Sequence, residues 1–108
     1  MTQNDVQEVS GKRVKEILQK KCVLIDFFAE WNMPCLMMAP VIEELAEKFR
    51  GKIEFARINI DENNEFSKKL KVMALPTIIL FMNGVEAARL TGSVSQEQIE
   101  KKISVFVE

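Results

Sequence analysis

Histidine is absent from this chain, and cysteine occurs only twice, at Cys22 and Cys35. Without an imidazole there is no Ser–His or Cys–His nucleophilic pair and no ordinary zinc site. Two thiols are too few to hold a metal on their own or to staple a small secreted domain. Any covalent chemistry therefore rests on Cys22 or Cys35, and no cofactor is expected. Net charge is also missing, since 15 Lys and Arg stand against 16 Asp and Glu. So balanced a chain carries no electrostatic footprint for nucleic acid or an anionic membrane. Long apolar runs are lacking too, so no helix is expected to span a bilayer. Met1 to Val6 has neither the basic nor the apolar region of a secretory signal, which makes a cytoplasmic location the expectation.

What is present is an ordinary globular balance, 47% hydrophobic and 29% charged over 108 residues. That length has room for one core, so residues 1–108 read as a single domain. Ser10 is placed to cap a helix running through Val14, Ile17 and Leu18 to Lys20. Cys22-Val23-Leu24-Ile25-Asp26-Phe27-Phe28 is a continuous apolar run broken by one charge, as suits a strand buried on both faces of a largely parallel sheet. From Pro34 to Phe49, Met38, Ile42, Leu45 and Phe49 draw one helical stripe, with Gly51 where the helix stops and Pro40 expected to kink it.

Ile53 to Ile60 alternates as a strand, and Asn63 is placed to cap a short helix through Phe66 and Leu70. Thr77 to Phe81 is a second buried strand, and Asn83-Gly84 is a two-residue hairpin signal leading into an antiparallel strand from Val85 to Leu90. Ser95-Gln96-Glu97-Gln98 is a capping box that opens a last helix through Ile99, Ile103 and Phe106. This order predicts an α/β fold, a central mixed sheet with helices on both faces and one antiparallel edge.

Phe27-Phe28-Ala29-Glu30-Trp31-Asn32-Met33-Pro34-Cys35 follows a buried strand and opens a helix. With Asp26 before it, Pro40 after it, Ala74-Leu75-Pro76-Thr77, Asn83-Gly84 and Gly92, it resembles the thioredoxin family over nearly the whole chain. That family carries Trp-Cys-Gly-Pro-Cys at the motif, and the resemblance implies the thioredoxin fold and a cis Leu75–Pro76 bond.

Several residues depart from the pattern. Asn32 stands where the family has its attacking cysteine, Met33 replaces the glycine, and Leu36 occupies a place that is often lysine. In the family reaction the first thiolate, stabilised at a helix N-terminus, attacks a substrate disulfide and the second cysteine resolves it. Asparagine cannot attack, but it is a preferred N-cap residue. An internal Cys22–Cys35 bridge is excluded, because seven strand residues span roughly 20 Å where a disulfide tolerates about 7 Å between Cα atoms. Cys22 reads as a small buried hydrophobe. Cys35 is the family's resolving thiol, and the resemblance makes Asp26 its proton acceptor. Arg57 in the next strand is a candidate partner for Asp26, whose carboxyl pKa is expected to be raised by burial. Inherited packing and a working Asp26–Cys35 pair both remain open.

The family's peptide groove, carried over residue by residue, comprises Trp31, Asn32, Met33, Pro34, Met73, Ala74, Leu75, Pro76, Thr91 and Gly92. A peptide backbone would pair with the chain before Pro76 as an added strand. Leu36 and Met37 are candidates to extend this apolar surface, while Met38 belongs by its spacing to the core.

Two functions compete. One is a monomeric module that binds extended segments of partner proteins. The other is a thiol–disulfide oxidoreductase using Cys35 with an external thiol. A structural subunit with a permanently filled groove is a third possibility. The residue at position 32 decides the first test. Reduction of insulin disulfides with thioredoxin reductase as sole electron source should be absent, and Asn32→Cys should restore part of it. A wild-type rate like that of a dithiol thioredoxin would refute this reading.

Overall fold

The computed structural model describes residues 5–107, so Met1 to Asn4 of the N-terminal segment read above lie outside the described residues. The elements are β1 (Val6–Glu8), α1 (Lys12–Ile17), β2 (Cys22–Phe28), α2 (Met33–Lys48), β3 (Glu54–Asn59), α3 (Asn64–Lys69), β4 (Thr77–Met82), β5 (Val85–Thr91) and α4 (Gln96–Ser104). The sheet order is β1-β3-β2-β4-β5. Strand β3 runs parallel to both β1 and β2, whereas β4 is antiparallel to β2 and β5. This is the thioredoxin fold, with the expected mixed sheet and helices on both faces. The antiparallel strand is not at the edge, however: β4 runs against β2, and the hairpin turns the edge strand β5 back parallel to β2.

The apolar run Cys22–Phe28 is the middle strand, and all seven of its residues are buried. Successive side chains in a strand point to opposite faces, and two cores follow from that alternation. Cys22 and Leu24 join Met38, Ile42 and Leu45 of α2 and Ile99 and Ile103 of α4. Val23, Ile25 and Phe27 join Val14 of α1 and are flanked by Phe66 and Leu70 from α3 and its end. Asp26, in phase with Cys22 and Leu24, therefore points toward the face that α2 covers.

Several local expectations hold. Asn83 and Gly84 both take positive φ (52° and 81°), the pair a type I′ hairpin requires. Gly51 ends the α2 region at φ 85°. Around Ser95 the capping box is complete, Gln98 N–H donating to Ser95 Oγ at 3.1 Å and Ser95 N–H to Gln98 Oε1 at 2.8 Å.

Others need correction. Ser10 does not cap α1, because Gly11 occupies the N-cap at φ 55° and the helix stops at Ile17 rather than Lys20. Asn63 is the N-cap of α3 by position, but its side chain does not cap that helix. Its Oδ1 instead accepts from Gly11 N–H at 3.0 Å, and its Nδ2 donates to the Asn59 carbonyl at 2.9 Å. One amide thus ties the starts of α1 and α3 together. Phe106 falls beyond α4 and is exposed. Strand β1 was not expected at all.

The capping box gives a stability test. Ser95→Ala removes the acceptor for Gln98 N–H and should cost about 1 kcal/mol. Urea unfolding should show a lower midpoint at unchanged slope, and an unshifted midpoint would mean the box contributes nothing.

Candidate functional site

Strand directions gather four loops at one end of the sheet. Parallel β2 and β3 end together, Phe28 opposite Asn59. Antiparallel β4 begins beside the end of β2, Thr77 opposite Phe27, and β5 ends beside the start of β4, Thr91 opposite Thr77. Residues 29–35, 60–63, 73–76 and 91–92 therefore share that end. Hydrogen bonds join them: Ile60 N–H to Phe28 O at 2.9 Å, Gly92 N–H to Pro76 O at 2.8 Å, and Trp31 Nε1–H to Asp61 Oδ2 at 2.9 Å.

At the start of α2, Asn32 adopts extended backbone angles and its Oδ1 accepts from Cys35 N–H at 3.0 Å. Pro34 sits in the first turn, where a missing N–H costs nothing. Trp31, Met33 and Pro34 are exposed and Asn32 half-buried, whereas Cys35 is fully buried. Leu36 and Met37 are exposed beside them, and Met38 turns into the core. Both cysteines are free thiols. Burial pushes the Cys35 thiol above its ordinary pKa. A backbone hydrogen bond with Ala29 opposes this, the neighbouring Asp26 charge adds to it, and Arg57 weakly offsets it.

Asp26 is fully buried next to Arg57, its register partner on β3. Arg57 Nε donates to Asp26 Oδ2 at 3.3 Å, and its guanidinium lies 3.9 Å from the centre of the Phe28 ring. Asp26, Phe28 and Arg57 share the α2 side of the sheet by strand parity. Only one carboxylate oxygen is used, for Oδ1 has no hydrogen-bond partner among the described residues. Burial raises the Asp26 pKa to about 6, with Arg57 pulling the other way.

The Leu75–Pro76 peptide bond is cis. Met73 and Ala74 are exposed, Leu75 is half-buried and Pro76 buried. Thr77 Oγ1 donates to Ala74 O at 2.6 Å. Among the described residues, neither the N–H nor the C=O of Leu75 makes a hydrogen bond. Gly92, at φ 78°, holds the neighbouring loop against Pro76, and Thr91 is exposed at the end of β5. The far end of the segment is clamped by Arg89, whose guanidinium donates to Leu70 O at 2.6 Å and Lys71 O at 3.2 Å while pairing with Glu86.

Asp61 and Arg89 were missed in the sequence. Asp61 meets Trp31 across 30 residues, and Arg89 meets Leu70 across 19. No local pattern encodes such pairs.

Comparison with known proteins agrees with this geometry. The thioredoxin family model matches residues 5–105. A thioredoxin from Alicyclobacillus acidocaldarius subsp. acidocaldarius is 44% identical over 84 residues, covering 78% of this chain and 80% of that protein. A thioredoxin from Buchnera aphidicola subsp. Baizongia pistaciae is 32% identical over 108 residues, 99% of each. Among solved structures, a mutant thioredoxin from Halobacterium salinarum NRC-1 superposes with a TM-score of 0.89 at 29% identity, covering 97% of this chain and 93% of that one.

The buried carboxyl predicts a pH dependence. Folding favours the neutral form of Asp26, so its contribution is fully present below the unfolded pKa near 4. It declines as pH rises toward the folded value of about 6. The span corresponds to at most roughly 3 kcal/mol. Urea midpoints should fall between pH 4 and 7 in the wild type and flatten in Asp26→Asn. An equally steep profile in that variant would assign the effect to other groups.

Proposed function

This chain belongs to the thioredoxin family of thiol–disulfide redox proteins, and from that premise we propose a protein-binding role for it, with at most weak single-thiol exchange through Cys35. The observation that carries the reading is the unpaired backbone of Leu75 at the shared loop end, beside exposed Trp31, Met33 and Met73. An unused donor and acceptor in the bend just before β4 suit an extended peptide that pairs with the backbone there. Apolar side chains around it supply contact area, and thioethers repack to suit different partners. The Asp61 bond holds the Trp31 indole in one orientation, so less freedom is lost when a peptide docks.

The chemistry points the same way. Asn32 occupies the position of the family's attacking cysteine and serves as the helix cap through its bond to Cys35 N–H. The remaining thiol is buried and held protonated, and a thiol reacts through its thiolate. We therefore read the motif as a docking surface retained after the two-thiol cycle was lost, acting as a monomer in the cytoplasm on extended segments of partner proteins.

One observation favours the second reading, a monothiol oxidoreductase. Asp26 is close enough for its charge to act on Cys35, and its Oδ1 is unused. A carboxylate so placed would accept the Cys35 proton, and an external thiol would then complete the turnover.

Capture of an unfolded peptide under reducing conditions separates the two. Trp31→Ala should weaken binding by roughly 1–2 kcal/mol, as interface anchors of this type often do. Met73→Glu should also weaken it by placing a charge on the apolar face, while Cys35→Ser should leave it nearly unchanged. If Cys35→Ser alone abolishes capture, the link is covalent and the monothiol enzyme is the correct reading.

A further inference from the structure

The five methionines among the described residues divide sharply by exposure. Met33, Met37 and Met73 are 63%, 69% and 92% exposed, whereas Met38 is 5% exposed and Met82 is packed against the core. Met33 and Met73 lie where the loops converge, and Met37 lies one turn further along α2. Met33 and Met37 stand four residues apart on one face of α2, and Met73 precedes the cis bond at the same end of the sheet. Both thiols are shielded, since Cys22 and Cys35 are buried and burial pushes both pKa values up. Thiol oxidation needs thiolate character and access. A thioether needs only access, because its sulfur carries its lone pair at every pH. The sulfurs that an oxidant meets first are therefore thioethers.

We propose that Met33, Met37 and Met73 form an oxidant-reactive site, at which a peroxide converts the thioethers to sulfoxides and thereby switches off peptide binding. In each step a sulfur lone pair attacks one peroxide oxygen. The S–O bond forms as the O–O bond breaks, and sulfur gives up two electrons. The departing oxygen keeps the bonding pair and takes the proton from the transferred oxygen, leaving as water from hydrogen peroxide or as alcohol from an alkyl peroxide. The product is polar and chiral where the side chain was apolar and adaptable, so the face loses the property that suits it to a peptide.

The switch rests on the binding role proposed above, but the selectivity does not, and two readouts keep them apart. For selectivity, the folded protein is treated with hydrogen peroxide and mapped by peptide mass spectrometry. Met33, Met37 and Met73 should gain oxygen about tenfold faster than Met38 and Met82, with Cys35 still alkylated quantitatively after unfolding. Oxidation of Cys35 ahead of these methionines, or equal rates at all five, overturns the site. For the switch, binding of carboxymethylated insulin B chain is measured before and after oxidation, with peroxide removed. Affinity should fall about tenfold or more and should not return with dithiothreitol, which reduces disulfides and sulfenic acids but leaves sulfoxides intact. Recovery with dithiothreitol assigns the effect to a thiol and overturns the switch, as does unchanged affinity of the fully sulfoxidised protein. In a variant combining Met33→Leu, Met37→Leu and Met73→Leu, affinity before and after peroxide should be equal, whatever its starting value. If the untreated protein binds no peptide, the binding role fails, while the mapping result still stands or falls by itself.

Discussion

Burying the whole of β2 forces a carboxyl into the centre of the sheet. Asp26 sits in that strand between Ile25 and Phe27, on the face that α2 closes. The group escapes most of the cost by favouring its neutral form, and Arg57 recovers part of what remains. Arg57 also lies against the Phe28 ring and meets the carboxyl through Nε. The result is a one-sided pair, Oδ2 engaged and Oδ1 unused. Because Cys35 lies in the first turn of the helix that closes over this carboxyl, its thiol feels both the burial and the charge. The protonation of the site follows from strand parity before any catalytic purpose enters.

Above that carboxyl, the helix start and the loop end obey separate requirements. A helix N-terminus needs acceptors for its first N–H groups, and Asn32 supplies one to Cys35. The fold of the motif loop therefore does not depend on a thiolate at position 32. A peptide edge needs an unpaired donor and acceptor, and Leu75 keeps both. Because the two requirements are met by different residues, a change at position 32 leaves the Leu75 surface intact, which is the physical basis of the binding role proposed above.

Much of this was legible in the sequence wherever the determinant is local. The β2 run, the α2 stripe, the Asn83-Gly84 turn and the Ser95 box are each written within a few consecutive residues. What escaped reading depends on distant partners. Strand β1 has only three residues, and nothing marks Val6–Glu8 as a strand until β3 lies beside it. Asn63 has the side chain of a cap, yet Gly11, 52 residues away, claims its Oδ1. Within the site, Asp26, Cys35 and the cis bond were reached through resemblance to a family. The Asp61 contact that orients Trp31 was not, because it is specified by neither a pattern nor a motif.

The segment carrying Met73 is pinned at both ends, at one by Arg89 on the Leu70 and Lys71 carbonyls and at the other by Gly92 on Pro76. Its backbone is thus set by residues other than Met73, whose own side chain stands almost wholly in solvent. A position of that kind is free in sequence and fixed in space. Substitution there changes the chemical character of the surface while the fold, which does not use the side chain, stays as it is. Through that one residue, descendants of this chain can alter the face they present without first having to rebuild a protein.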